Sequence, residues 1–361
     1  MKERWQYKKL GEIATYVNGF PFKPSDWVTE GRPIIRIQNL TDNTASFHRC
    51  NRKDIPEKYK IRKGDVLISW SATLGVFEWR REDALLNQHI FKVVFDKDNI
   101  NKNYFKYAVK SSLGEMSKHT NGATMRHIRK GDFDNIKIPV PPLSEQQRIV
   151  SYLDSAFAKI DAVAKNAEAS LKEAKALFQS ALAKMMEPKE GWEEVNLVKE
   201  LALKSGVYLP SKEQSGGSIP VYGGNGIAGY HNKGNLDGEH IIIGRVGALC
   251  GNVHLTNGKI WVTDNAFVAT GIDDSWNKIF LLYQLTTIDL NKYATKAVQP
   301  VISNKSLRDI SLYKPSLEIQ NEISLTLDTL KSKVDQLQSN LSRTLTECAA
   351  LKQSILRQTF E

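Results

Sequence analysis

The sequence predicts an α+β fold in which two mainly-β domains are separated by two long helices that form an antiparallel coiled coil, with a pseudo-twofold internal repeat. Three observations lead to this prediction. The second half of the chain repeats the first, strand-like runs fill the first part of each copy, and a helical pattern closes each copy. We expect a domain at 1–142, a helix at 143–188, a second domain at 189–316 and a second helix at 317–361.

The repeat is clearest where each domain passes into its helix. Identical residues recur there at a constant offset of 174 (310 − 136): Ile136 and Ile310, Pro141 and Pro315, Leu143 and Leu317, Gln146 and Gln320, Ile149 and Ile323, Leu153 and Leu327. The starts of the copies also match, since Glu12-Ile13-Ala14 recurs as Glu200-Leu201-Ala202. The two copies should therefore share one fold.

Apolar runs bounded by turn residues predict the strands. Residues 64–69 and 91–95 form such runs in the first copy, and residues 238–244 and 265–269 form them in the second. Short β-branched and aromatic runs between glycine and asparagine clusters are typical of strands. Each domain should therefore be mainly β, with a few helices.

A helical pattern follows Pro141-Pro142 and again Pro315, with Ser144 as a candidate N-cap. Apolar positions then recur in steps of three and four. The two predicted seams are Leu153, Ala156, Ile160, Val163, Ala167, Ser170, Ala174, Leu177 and Ala181, and Leu327, Leu330, Val334, Leu337, Leu341, Thr344, Cys348, Leu351 and Ile355. Matched seams favour pairing within the chain. The alternative is that each helix packs on its own domain or on another chain.

The formal net charge of +10 is concentrated in the first domain. Residues 1–142 hold 26 basic and 16 acidic residues (26 − 16 = +10), whereas residues 189–316 hold 13 and 12 (13 − 12 = +1). Such an excess favours a polyanionic partner, although solubility alone is an alternative explanation. Three scattered cysteines, no long apolar run and no apolar leader predict a cytoplasmic protein without a membrane span.

The residues of both copies resemble the specificity subunit of type I restriction–modification systems. In the first copy the resemblance is carried by Ile35-Arg36-Ile37-Gln38-Asn39-Leu40, Lys63-Gly64-Asp65-Val66-Leu67-Ile68-Ser69, Asn87-Gln88-His89 and the segment from Ile138-Pro139 to Arg148-Ile149. In the second copy it is carried by 220–227, 243–247 and 314–320. The junction from proline to glutamine is its most specific part. The second copy departs from it at Lys314-Pro315-Ser316 and lacks the positive excess.

The resemblance implies that each domain is a target-recognition domain that reads one half of a split site in double-stranded DNA. The coiled coil would set the gap between the halves and dock two methyltransferase subunits, and restriction subunits would join the complex. S-adenosylmethionine, ATP and Mg would belong to those partners, so this chain should have no cofactor, metal or catalytic residue. A coiled-coil scaffold whose β domains bind protein, and an enzyme with an unrecognised site, are the alternatives.

Sequence motifs of catalysis are weak or absent. Residues 224–229 match the glycine pattern of a dinucleotide site, but a turn-like segment follows where that site needs a helix. The chain has no phosphate-binding loop of the G-x-x-x-x-G-K-[S/T] type and no H-E-x-x-H metal motif. We therefore interpret the glycines as a loop in a β domain.

Two groups of DNA contacts are expected. Candidates for phosphate are Lys58, Lys60, Arg62, Lys63, Arg80 and Arg81. Candidates for base reading combine amide, hydroxyl, aromatic and cationic groups. They are Ser69, Trp70, Ser71, Thr73, Lys118, His119, Thr120, Asn121, Thr124, Arg126 and His127 in the first copy, and Tyr222, Asn225, Arg245, Lys296, Gln299, Asn304 and Lys305 in the second.

Overall fold

The structure, a computed structural model, describes residues 5–70, 74–119, 130–295 and 298–360, with the backbone alone for 114–119. The chain divides into two compact units. Unit 1 comprises Met1–Asn166 and Arg343–Glu361, and unit 2 comprises Ala167–Ser342. Each unit therefore combines one copy of the β domain with part of both long helices, so the compact units do not follow the four segments predicted along the chain.

Unit 1 begins with short strands and short helices. In chain order the elements are β1 (Gln6–Lys9), α1 (Leu10–Ile13), β2 (Thr15–Asn18), β3 (Arg32–Ile35), α2 (Ile37–Thr41), β4 (His48–Cys50), β5 (Lys60–Ile61), β6 (Val66–Ser69), β7 (Gly75–Glu78), β8 (Ala84–Leu86), β9 (Ile90–Val94), α3 (Lys102–His119), α4 (Lys130–Asp134), β10 (Lys137–Val140) and the long helix α5 (Leu143–Met186).

These strands form three sheets. β1 pairs with β10, an antiparallel sheet has the order β2-β9-β6-β7, and a mixed sheet has the order β4-β3-β8-β5 with β3 parallel to β8. All four residues of β6 are buried, which explains why the sequence shows a continuous apolar run there instead of an alternating one. The strands predicted at 64–69 and 91–95 are confirmed as β6 and β9.

Unit 2 repeats this plan with different loop lengths. Its elements are β11 (Glu193–Asn196), α6 (Leu197–Glu200), β12 (Ala202–Ser205), β13 (Ile219–Gly223), β14 (Gly226–His231), β15 (His240–Gly244), β16 (Val253–Thr256), β17 (Trp261–Val262), β18 (Ala266–Thr270), α7 (Lys278–Thr287), β19 (Ser311–Lys314) and the long helix α8 (Leu317–Phe360).

The strand order of unit 2 matches that of unit 1 except for one strand. β11 pairs with β19, the antiparallel sheet has the order β12-β18-β15-β16, and a third sheet has the order β14-β13-β17 with β13 parallel to β17 and no counterpart of β5. The run at 224–229 forms the turn between β13 and β14 and continues into β14, so it lacks the strand-to-helix context of a dinucleotide site. The repeat therefore extends from sequence to topology.

Both long helices have 44 residues and contribute to both units. In unit 1, Lys352 lies over the Phe157 ring and Cys348 Sγ contacts the carbonyl of Ile160, so the two helix segments run antiparallel there. In unit 2, Phe178 and Leu182 share a hydrophobic core with α8 residues that include Leu327. Each unit therefore contains an apolar contact between a segment of α5 and a segment of α8.

The predicted seams are correct in part. Leu153, Ile160, Leu327 and Val334 are buried as expected. Four other apolar seam positions are exposed, by 54% at Val163, 71% at Leu177, 40% at Leu337 and 50% at Leu351. Phe178, the neighbour of Leu177, is buried in its place, and Phe157, the neighbour of the part-buried Ala156, is buried as well. The N-cap prediction was also wrong, because α5 begins at Leu143 and Ser144 already lies in its first turn.

Candidate nucleic-acid interface

A buried glutamine joins the β domain of unit 1 to its long helix. Gln146 is 1% exposed. Its Oε1 accepts a hydrogen bond from the Asn101 backbone N–H at 2.8 Å, and its Nε2 donates to the Pro141 carbonyl at 2.8 Å. The Asn101 side chain in turn caps α3 by accepting from the backbone N–H groups of Asn103 and Tyr104. One amide therefore fixes the start of α3 against the first turn of α5.

Unit 2 contains the same arrangement of hydrogen bonds around a buried glutamine. Gln320 is fully buried, and its Oε1 accepts from the Asn277 backbone N–H at 2.8 Å. Its Nε2 donates to the carbonyls of Ser275 and Pro315 at 3.0 and 2.9 Å. Asn277 caps α7 as Asn101 caps α3. We call Gln146 and Gln320 the glutamine clamps.

A second contact strengthens each junction. The hydroxyl of Tyr107 on α3 donates to Asp154 of α5 at 2.5 Å, and that of Tyr283 on α7 donates to Asp328 of α8 at 2.7 Å. Burial, followed by the neighbouring carboxylate, raises the pKa of both tyrosines, so each hydroxyl remains protonated and can donate. The domain of each unit is thus held to its helix by the same pair of contacts.

Unit 1 carries a cleft of about 410 Å³ with a positive lining, which we call the cationic cleft. Its charged residues are Arg80, Arg81, Lys106 and Lys110, with Glu78 as the one carboxylate among the described lining residues. The Arg80 side chain is 78% exposed and lies 3.6 Å from Glu78. Arg81 is held more firmly, because its Nη2 donates to Asn43 Oδ1 at 2.6 Å. Exposed guanidinium groups suit phosphate oxygens.

The cleft brings together two of the six phosphate candidates. Lys58, Lys60, Arg62 and Lys63 do not line it. Lys60 and Arg62 both pair with Glu57, at 2.6 and 2.9 Å. Sequence reasoning missed Lys106 and Lys110, which lie on α3, because that helix had not been identified.

The base-reading candidates of the first copy have different surroundings. Ser69 is fully buried at the end of β6, so a DNA contact would require its exposure. The half-buried Trp70 ring stacks on Phe91 with ring centroids 5.7 Å apart. Ser71, Thr73, Thr120, Asn121, Thr124, Arg126 and His127, and the side chains of Lys118 and His119, lie outside the described residues.

Unit 2 carries a cleft of about 370 Å³ that has a different lining, which we call the amide cleft. Asn225 and Gln299, both predicted to read bases, line it together. Gln214 and Asn265 complete its four amide side chains. These last two were missed, although each lies in a polar loop before or after a strand, where polar side chains are commonly exposed.

The remaining candidates of the second copy lie elsewhere. Arg245 is turned inward, since its Nη1 donates to Ser205 Oγ at 2.9 Å and its guanidinium lies 5.2 Å from the centre of the Phe267 ring. Tyr222 is half-buried, and this burial, followed by nearby Tyr230, raises its pKa. Two candidates are exposed, Asn304 and Lys305. Lys296 lies outside the described residues.

A carboxylate network fixes the start of the β domain of unit 2. Oε2 of Glu200 accepts from the Trp276 indole at 2.8 Å and from Lys314 Nζ at 3.0 Å. The indole hydrogen bond, followed by that of the ammonium, holds the pKa of Glu200 below its usual range. The network ties α6 to β19 and to the segment before α7.

The described residues lack features typical of two other functional classes. No group of three or more histidine, cysteine, aspartate or glutamate side chains there could hold a metal ion. Within the same residues, no helix is long and apolar enough to span a bilayer.

These features define a class of protein: a tandem repeat of β-rich domains, each clamped to long helices and each with a polar cleft. The chain belongs to the type I restriction modification DNA specificity domain family, whose model matches residues 2–173 and 189–347. Both copies of the repeat are therefore members of the family.

Individual relatives agree with this assignment. The chain is 25% identical over 379 residues to the type I restriction enzyme EcoprrI specificity subunit of Escherichia coli, covering 97% of this chain and 93% of that protein. It is 30% identical over 162 residues to the EcoBI specificity subunit of Escherichia coli, covering 44% and 34%.

Solved structures show the same fold. A chain from a study of complex assembly and conformational transition of the type I R-M system aligns with a TM-score of 0.75 at 20% identity, covering 99% of this chain and 97% of that one. The HsdS subunit from Thermoanaerobacter tengcongensis aligns with a TM-score of 0.56 at 19% identity, covering 100% and 97%. The α+β fold with two β-rich domains and two long helices, predicted from sequence, is confirmed.

Proposed function

We propose that this chain is the non-catalytic specificity subunit of a type I restriction–modification complex and that each β domain reads one half of a bipartite DNA site. The observation that carries this proposal is the duplicated family match in which both copies keep the same glutamine clamp. Two equivalent recognition domains in one chain are suited to a site with two separate halves.

The linings of the two clefts support a division between contacts to the DNA backbone and contacts to base edges. The cationic cleft offers the guanidinium groups of Arg80 and Arg81 for the DNA backbone, whereas its Lys106 ammonium is paired with Glu78. The amide cleft offers hydrogen-bonding groups for base edges. In this proposal the long helices set the spacing between the two half-sites. In the same proposal, DNA is contacted by the candidates Trp70, Asn225, Gln299, Asn304 and Lys305 and by those of the first copy at 71–73 and 118–127.

The helices also dock two methyltransferase subunits, and restriction subunits join the complex. Support comes from apolar side chains that each unit leaves exposed on its helices, Val163 and Leu351 in unit 1 and Leu177 and Leu337 in unit 2. Val163 and Leu337 occupy equivalent positions of the repeat, as do Leu177 and Leu351 (351 − 177 = 174). Exposed apolar residues at repeated positions suit two copies of one partner. S-adenosylmethionine, ATP and Mg belong to those partners.

The main test is long-read methylome sequencing of cells with and without the gene. We expect one split adenine-methylated motif to disappear with the gene. A methylome that is identical in the two strains, although the protein and its methyltransferase are expressed, would refute the proposal.

Once the motif is known, Arg126→Ala should relax recognition in one half only. An effect on both halves, or on neither, would contradict the assignment of Arg126.

Docking is tested by co-purification with the methyltransferase. Leu177→Lys and Leu351→Lys should each reduce the recovered methyltransferase, because a lysine ammonium would have to be desolvated at the contact. The matched controls Gln179→Lys and Gln353→Lys add the same charge at exposed positions two residues further along each helix. Equal recovery with all four variants would place the methyltransferase on another surface.

A further inference from the structure

The amide cleft differs chemically from the cationic cleft. None of the described residues that line it is charged, whereas four cations line the cleft of unit 1. Its polar groups are the primary amides of Gln214, Asn225, Asn265 and Gln299, the hydroxyls of Ser211 and Thr263, and backbone. Cations attract phosphate, but amides discriminate between bases because they carry a donor and an acceptor side by side. This lining therefore suits a base edge better than a DNA backbone.

The loop that carries Gln299 is fixed at both of its ends. Thr295 N–H donates to the Val301 carbonyl at 3.0 Å, and Val301 N–H donates back to Thr295 Oγ1 at 3.1 Å. Gly247 N–H donates to the Pro300 carbonyl at 2.9 Å. Gln299 itself is exposed, and within the described part of the chain its amide makes no hydrogen bond. Because the backbone is held at Thr295, Pro300 and Val301, binding a base has to order mainly the Gln299 side chain.

Asn225 is oriented by its neighbour. Its Oδ1 accepts a hydrogen bond from Asn252 Nδ2 at 2.6 Å, which leaves its own NH2 group as a donor. The turn that carries Asn225 lies tightly against the segment that follows β15, because a Cβ on Gly224 would lie 2.0 Å from the Val246 carbonyl oxygen. Asn225 can therefore donate to a base but has less capacity to accept.

These geometries distinguish the roles of the two amides. Gln299 has both a donor and an acceptor available, which is the pair that adenine requires at its N7 and N6 positions in the major groove. Asn225 offers mainly a donor, which suits an acceptor such as a purine N7 or thymine O4. We infer that the amide cleft reads an adenine-containing base pair through Gln299, with Asn225 as a second specificity-determining residue. This inference rests on the proposed function and identifies the residues and the base chemistry of one half-site.

The test uses the full chain with its methyltransferase and duplexes that carry the split motif found by methylome sequencing. Each A·T pair of the motif is replaced in turn, and each adenine is separately replaced by 7-deazaadenine, which lacks the N7 acceptor. We expect Gln299→Ala to lose roughly tenfold or more in discrimination at one A·T pair of one half-site. At that pair, 7-deazaadenine should weaken binding by the wild type and have little further effect on the variant.

Two controls separate base reading from other effects. Gln338→Ala removes an exposed glutamine amide from α8 and should bind like the wild type. Arg80→Ala in the cationic cleft should lower the slope of log affinity against log salt by about one and leave base preference unchanged. Gln299→Ala should leave that slope unchanged.

The outcomes distinguish the two levels of the argument. If the wild type neither binds nor directs methylation of any split site, the proposed function fails. If the wild type recognises its site and Gln299→Ala keeps full discrimination at every position, the inference alone is overturned. Loss of discrimination at a G·C pair instead would also overturn it, because adenine would not be the base read.

Discussion

Replacing Gln146 by leucine should loosen the junction between the β domain of unit 1 and its helix. The substitution keeps a buried apolar volume but leaves the Asn101 N–H and the Pro141 carbonyl without their partner. A buried polar group that loses its hydrogen bond costs about 1–3 kcal/mol, so with two such groups the local free energy of opening should fall by about 2–6 kcal/mol. Gln320→Leu removes three such bonds, and the expected loss in unit 2 is about 3–9 kcal/mol.

The assay is native-state hydrogen exchange at the backbone amides of Asn101 and Asn277. Exchange is preferred to a single unfolding curve, because a chain with two compact units need not unfold in one step. Gln147→Leu is the matched control, since Gln147 is the exposed neighbour of the clamp and should change the opening energy by less than about 0.5 kcal/mol. The reasoning is refuted if Gln146→Leu opens Asn101 no more than the control does.

Two further predictions concern unit 2. Gly224→Ala places a methyl group 2.0 Å from the Val246 carbonyl oxygen and should lower the free energy of unfolding by about 1–3 kcal/mol, measured by urea unfolding. The control Gly131→Ala has open space around its Cβ position and should cost nothing. Equal stability of the two variants would contradict the steric argument. The indole of Trp276 and the neighbouring ammonium lower the pKa of Glu200, so this carboxylate stabilises the fold above its unfolded pKa of about 4.3. That contribution should be lost as the pH falls through the lower folded pKa. Glu200→Gln should weaken this acid-dependent loss of stability, and an unchanged pH profile would show that the network contributes nothing.

The repeat made much of the fold predictable from sequence. Prolines before Leu143 and Leu317 marked both helix starts to within a residue, and apolar runs marked the central strands. The seams were less predictable, because apolar residues occupy adjacent positions such as Leu177 and Phe178. A stripe defined by steps of three and four cannot decide which of two neighbours is buried, and the larger aromatic ring took that place.

The base-reading candidates remain predictions, and their placement in the fold could not be predicted from sequence. Polar loops indicated Asn225 and Gln299 separately, and only the structure shows that both line one cleft. Sequence alone did not show that Arg245 turns inward to bond Ser205, because the same arginine could face either side of its loop. The role of the glutamine clamps was also hidden, since their partners are backbone atoms and Asn101 and Asn277 lie more than 40 residues away in the chain.

Those backbone partners have a consequence for the exchange of domains during evolution. Among the described residues, the amides of Gln146 and Gln320 bond only to main-chain N–H and carbonyl groups, so the junction does not depend on which side chains the attached domain carries. A domain of the same backbone shape could therefore be exchanged by recombination without rebuilding the joint. If each domain reads one half-site as proposed, a single genetic exchange would replace one half of the target and leave the other unchanged.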